Sequence, residues 1–166
     1  MTAEIWELMS CADELCARSE YAAARERCRR AARLSVEAES PRLHALAAER
    51  LVRIDLYEGH CADALRGVET VIDSWEQAGE PRPRAQALQK RAEILTQMDR
   101  LLDARMAWRE ARAALRDHGD SWDVLRCDTA IENLGDKIYR QARDERRAGA
   151  NPDSSRRSVL GRRWPR

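Results

Sequence analysis

Phenylalanine is absent from this 166-residue sequence, lysine occurs twice against 28 arginines, and aromatic residues make up 5% of the chain. β-Branched residues are sparse as well, while alanine is found 27 times, a balance that argues against a sheet and for helices around a thin core. No apolar run approaches the roughly 18 residues of a membrane span, and Met1 to Ser10 has neither the basic start nor the apolar stretch of a signal peptide. The expectation is a soluble, cytoplasmic protein. Five cysteines (Cys11, Cys16, Cys28, Cys61 and Cys127) form an odd set without paired spacing, which fits reduced thiols better than a disulfide framework.

Catalytic and metal-binding motifs are also missing. There is no Gly-rich phosphate loop, no Gly-x-Ser-x-Gly and no His-Glu-x-x-His. The histidines His44, His60 and His118 fall at different helix ends or turns, and no two of them stand three or four residues apart. His60-Cys61 is the one adjacent His and Cys pair, and neighbouring helical side chains diverge by about 100°, a poor geometry for zinc. Cys16 has Asp13 close by in sequence, whose charge disfavours a thiolate. Most carboxylates stand beside arginine at helical spacing, as Glu26 with Arg30 and Glu49 with Arg53, the pattern of a solvated helix face. The sequence therefore predicts no enzyme, no cofactor and no metal.

The formal charge of +1 conceals a division. Residues 146–166 carry seven arginines against one acid, and the remainder is acidic at −5. From Gly149 the chain reads Asn-Pro-Asp-Ser-Ser-Arg-Arg-Ser without apolar periodicity, so the predicted organisation is a folded domain over 1–148 and a disordered basic tail over 149–166. Arg156, Arg157, Arg162 and Arg163 give that tail an electrostatic reach toward nucleic acid, an anionic lipid surface or an acidic partner, with Val159, Leu160 and Trp164 as apolar anchors.

Within 1–148, Pro41, Gly59, Gly79 with Pro81 and Pro83, and Gly119 punctuate helix-length segments. The segments are about 3–17, 20–37, 41–57, 61–78, 84–98, 101–117 and 121–147. Ser40 before Pro41 is an N-cap followed by Pro at the first helical position, and Asp120 or Ser121 can cap the last helix. Gly67 and Gly135 lie inside helices, where close helix approach or a kink accounts for them. Trp75 and Trp108 read as packing residues, and Trp122 as a staple over the loop before it.

Superposing the chain on itself at an offset of 40 residues aligns Tyr21, Cys61 and Leu101; Ala24, Ala64 and Ala104; Cys28, Val68 and Trp108; Ala31, Val71 and Ala111. These columns, three or four residues apart, define one buried helix face. The preceding helices align as Leu8, Ala48 and Leu88, then Ala12, Val52 and Ala92. A small side chain at a fixed column lets paired helices approach to about 8–10 Å.

Small residue, turn, large residue, Ala, large residue, Ala is the skeleton of the tetratricopeptide repeat, and residues 5–118 resemble that family. The middle unit carries the likeness best, in Leu56-Tyr57-Glu58-Gly59-His60-Cys61-Ala62-Asp63-Ala64 followed by Val68 and Val71. The period is 40 rather than the family's typical ~34, closer to the longer, degenerate repeats of bacterial regulators and adaptors. The resemblance implies an all-α fold: three antiparallel helical hairpins stacked as a short solenoid, closed by a long C-terminal capping helix whose apolar stripe is Leu125, Ile131, Leu134, Ile138 and Ala142.

It further implies that the first helices of successive hairpins line a concave groove, here Trp6, Met9 and Asp13; Glu49, Arg53, Leu56 and Tyr57; Gln89, Glu93 and Gln97; and Thr129 with Asn133. The Lys, Arg and Asn that clamp a terminal carboxylate in part of the family are replaced by Met9, Glu49 and Gln89 at one level and Asp13, Arg53 and Glu93 at another. The functional expectation is a non-catalytic adaptor or regulatory scaffold binding a peptide or helix of a partner protein. The alternative is a nucleic-acid-associated accessory protein acting through the tail, and self-association into a homodimer is a third arrangement open to a short array.

Overall fold

Helix boundaries follow from a turn repeated at a fixed interval. In the computed structural model, which describes residues 1–118 and 120–149, the described residues form seven helices and no strand: α1 (Thr2–Ala17), α2 (Tyr21–Glu37), α3 (Pro41–Tyr57), α4 (Cys61–Gln77), α5 (Pro81–Gln97), α6 (Leu101–His118) and α7 (Ser121–Gly149). Residues 150–166, and with them Arg156, Arg157, Arg162 and Arg163, lie outside the described part.

The first five connections are three residues long, and the middle residue of each has a left-handed backbone: Ser19 (φ 62°), Glu39 (49°), Gly59 (77°), Gly79 (68°) and Asp99 (56°). The next amide in each case, of Glu20, Ser40, His60, Glu80 and Arg100, reaches back to the carbonyl of Leu15, Ser35, Asp55, Trp75 and Leu95 at 2.7–3.1 Å. This is the Schellman arrangement, which satisfies carbonyls that a helix end leaves unpaired. The same residue then precedes the first turn of the next helix. At Ser40 its hydroxyl accepts from the Leu43 amide at 3.4 Å, and at Asp120 its carboxylate accepts from the Asp123 amide at 2.9 Å. The structural interval is thus 20 residues, half the period that side chains display.

Most boundaries fall within two residues of expectation, α7 reaching Gly149 rather than 147, and the start of α5 differs most. α5 begins at Pro81 rather than at 84, with Pro81 and Pro83 both in its first turn. The amides missing from these prolines belong to the group that has no intrahelical partner anyway, so two prolines fit where one marks the start.

Consecutive helices pack against one another, and α1 also touches α3. The aligned columns form the core: Ala24, Ala64 and Ala104 are fully buried, as are Cys28, Ala31, Ala92 and Ala111, and Val52, Val68, Val71, Leu88 and Trp108 nearly so. The indole nitrogens of the two buried tryptophans find acceptors, Trp75 in Glu49 at 2.8 Å and Trp108 in the Thr96 hydroxyl at 3.0 Å. Two columns identify the faces of the odd-numbered helices. Ala47, Ala87 and Cys127, with Ile54, Ile94 and Leu134, are buried in α3, α5 and α7 alike, whereas Ala48 and Leu88, Val52 and Ala92 give way in α7 to Asp128 and Glu132. In α1 the pattern is reversed, with Leu8 and Ala12 buried and Glu7 and Glu14 exposed. Charge closes the array on the outer side of its first and last helices.

Leu125 does not join the apolar stripe of α7; it is 53% exposed, and Cys127 takes its place in the core. Leu125 stands about 200° from Cys127 around the helix, on the opposite side. Trp122, expected as a staple, is 77% exposed.

Candidate partner-binding groove

The groove is built by α3 and α5, which lie apart and leave α4 as the floor between them. Val52, Leu56 and Ala87 form the walls, Val68 and Val71 the base, and Glu49, Arg53, Gln86 and Lys90 the rim of a cleft of about 290 Å³. The apolar floor follows from the column pattern, since Val68 takes the large position of α4 and Val71 the small one. Gly67 lets α3 and α4 close up beneath it: a Cβ there would stand 2.8 Å from Val52 Cγ2.

Of the predicted lining residues, Glu49 and Arg53 are brought together here with Leu56. Asp13 meets them from α1, bonded to the Arg50 guanidinium at 2.9 Å and to Arg53. Glu93 on α5 accepts from Lys90 at 2.6 Å and from Arg126 of α7. Together with Trp108, Trp122, Leu125, Thr129 and Asn133 it borders a second, shallower depression between α5 and α7. Tyr57 is 58% exposed at the end of α3, its ring centroid 5.8 Å from that of Tyr21, and Trp6 is 48% exposed on α1.

Met9 and Gln89 depart from the prediction. Met9 is fully buried, in one cluster with Ile5, Leu8, Ala31, Leu43 and Ala47, because the first half of α3 seats on that face of α1. Gln89 is 6% exposed, and its Nε2 has no partner. The outward stripe of α5 runs Gln86, Lys90 and Gln97, and Gln89, one residue from Lys90, is turned about 100° inward. Gln86 and Lys90 are the polar lining residues that sequence reasoning missed. Their signal was present as a polar stripe spaced 4 and 7, outside the offset used to align the repeats.

Other titratable groups bear on chemistry. Burial pushes the Cys28 and Cys127 thiols up to about 11. Cys16 is also raised, first by burial and then by the Asp13 carboxylate, against the opposing pull of Arg53. These are poor nucleophiles at neutral pH. Asp55, Glu58 and His60 converge at the end of α3, their ligand atoms within 4.8 Å of one another, but Arg25 already bonds both carboxylates, Asp55 at 2.5 Å. His44 meets the Ser74 hydroxyl at 2.9 Å through Nδ1. Because Ser74 gives its own hydrogen to the Thr70 carbonyl at 2.7 Å, Nδ1 is the donor and the neutral ring carries its lone pair on Nε2.

Among the described residues no helix is long and apolar enough to cross a membrane. Compared with protein-family models, with curated proteins and with solved structures, the chain finds no match.

Proposed function

We propose that this chain is a non-catalytic interaction module, a short tetratricopeptide-like solenoid of three helical hairpins capped by α7, that holds a peptide or helix of a partner protein in the groove between α3 and α5. The observation that carries this reading is the cleft itself: an apolar floor of Val68 and Val71 under a charged rim, on helices whose turns and columns fix its shape before any partner arrives. A preformed site spares the partner part of the ordering cost of binding. Five unpaired thiols support a reducing compartment such as the cytoplasm.

A photo-crosslinking side chain placed at Gln86, used in lysate with a control at exposed Leu102, tests it. The reading expects a defined protein segment crosslinked at Gln86 and not at Leu102, retained on deleting 150–166 and lost when Gln86→Trp plugs the cleft. Capture that ignores the plug and disappears with the tail overturns it. The charge division favours one second reading, in which the tail arginines contact nucleic-acid phosphates. Affinity would then fall steeply with salt and vanish on truncation.

A further inference from the structure

Four ion-pair clusters of the described residues hold unequal numbers of cations and carboxylates. Asp13 holds two cations, Arg50 and Arg53, and Glu93 holds two, Lys90 and Arg126. In the other two the ratio inverts: Arg91 is shared by Glu69 and Glu110, and Arg25 by Asp55 and Glu58. Each two-cation cluster therefore keeps one uncancelled positive charge, within a body whose residues 1–145 sum to −5. Both positive clusters border the cleft, for Arg53 stands on the α3 wall and Lys90 on the α5 wall. Their side chains are 44% and 49% exposed, open to an incoming group. Glu49, the one carboxylate among the lining residues, accepts the neutral Trp75 indole N–H and keeps its own negative charge, so the two clusters and Glu49 together leave the cleft one net positive charge.

The space between these cations is apolar and small. About 290 Å³ exceeds the roughly 150 Å³ that holds a benzene ring and falls far short of a helix, so it admits one large side chain. We infer that the groove takes an acidic segment of a partner protein, one bulky apolar side chain seated between α3 and α5 and flanking carboxylates meeting Arg53 and Lys90. The inference rests on the groove reading above and names the chemistry of its occupant. The apolar floor selects a peptide over a nucleic-acid backbone, which offers phosphate without a side chain to bury.

The test uses three fluorescein-labelled peptides, acetylated and amidated so that no terminal charge contributes: a central Trp flanked by Glu, by Lys or by Ser. Anisotropy titrations with the full chain should show the Glu-flanked peptide binding about tenfold tighter than the Lys-flanked one, a margin of about 1.4 kcal/mol, and losing that margin at high salt. The double variant Arg53→Glu with Lys90→Glu should invert the order. Asp13 keeps Arg50 and Glu93 keeps Arg126, and Arg53→Gln with Lys90→Gln, which adds no new carboxylate and should abolish the preference, guards against misfolding. Binding that is indifferent to peptide charge yet blocked by Gln86→Trp overturns the acidic preference and leaves the groove reading standing. Binding that ignores Gln86→Trp, or no binding by any of the three, overturns the inference, and the crosslink then decides the groove reading separately.

Discussion

Gly67 sits under Val52 at a distance that excludes any side chain: the nearest methyl would lie 2.8 Å from an added Cβ. A helix-interior glycine ordinarily costs about 1 kcal/mol relative to alanine, so Gly67→Ala tests which effect prevails. Val52 is 4% exposed and its branched side chain is short and stiff, so overpacking wins and the expected outcome is a net loss on the order of 1 kcal/mol. Urea denaturation reads this, and Val52→Ala in the same chain should relieve the clash, giving a favourable coupling in the double-mutant cycle.

Gly135 offers the opposite case on α7. The nearest atoms to an added Cβ there belong to the Arg105 guanidinium, from 3.4 Å, a long flexible group that can yield. Gly135→Ala should raise stability by up to about 1 kcal/mol, visible as a later urea midpoint at unchanged slope. A loss instead would mean that Arg105 is held rigidly over α7.

The left-handed turns predict an asymmetry between glycine and its substitutes. Gly59 has open space around its α-carbon, so Gly59→Ala costs only the backbone strain at φ 77°, on the order of 1 kcal/mol. Glu39 bears that strain already at φ 49°, and Glu39→Gly should relieve it, offset in part by about 0.5–1 kcal/mol of lost chain entropy. Thermal midpoints of the two variants should therefore move in opposite directions.

His44 supplies a pH dependence. Its pKa is lowered by burial from the ordinary value of 6.5. The unfolded chain thus binds the proton more readily, and stability falls as pH drops through 6.5 until the lower folded value is passed. At pH 7 and above the contribution is absent. Urea midpoints of His44→Gln should fall less than those of the parent between pH 7.5 and 5. Equal slopes would place the titration elsewhere.

Thiol labelling offers a readout of the core. Cys28 and Cys127 are fully buried, with pKa values pushed up to about 11, so both should resist iodoacetamide at pH 8 in the native protein and react once urea unfolds it. Peptide mapping by mass spectrometry distinguishes the sites. Prompt native labelling of Cys127 would mean that α7 detaches from α6.

The helices and their buried columns were legible because two local signals coincide: Gly or Pro at many boundaries and small or apolar residues recurring at helical spacing. Ser19, Glu39 and Asp99 carry the same turn without the glycine that announces it, which is why the 20-residue interval stayed hidden behind the 40-residue one. The groove was less legible. An offset of 40 assumes that α1, α3 and α5 present the same azimuth, but α1 has its Met9 face covered by α3, and α5 turns Gln86 and Lys90 outward instead of Gln89. Rotation about a helix axis depends on what packs on both sides, information that no single repeat contains.

Regular turns make this fold a matter of length as much as of chemistry. Because the residue that ends one helix also precedes the next, removing residues 41–80 joins Ser40 to Pro81 and recreates the junction that Ser40 now makes with Pro41. α5 would then meet α2 with Ala87 and Ile94 in the seats of Ala47 and Ile54. A chain spaced in this way can be shortened by a whole unit, or lengthened by copying one, without redesigning a single turn, and its surface residues are free to diverge while the spacing and the buried columns keep the architecture.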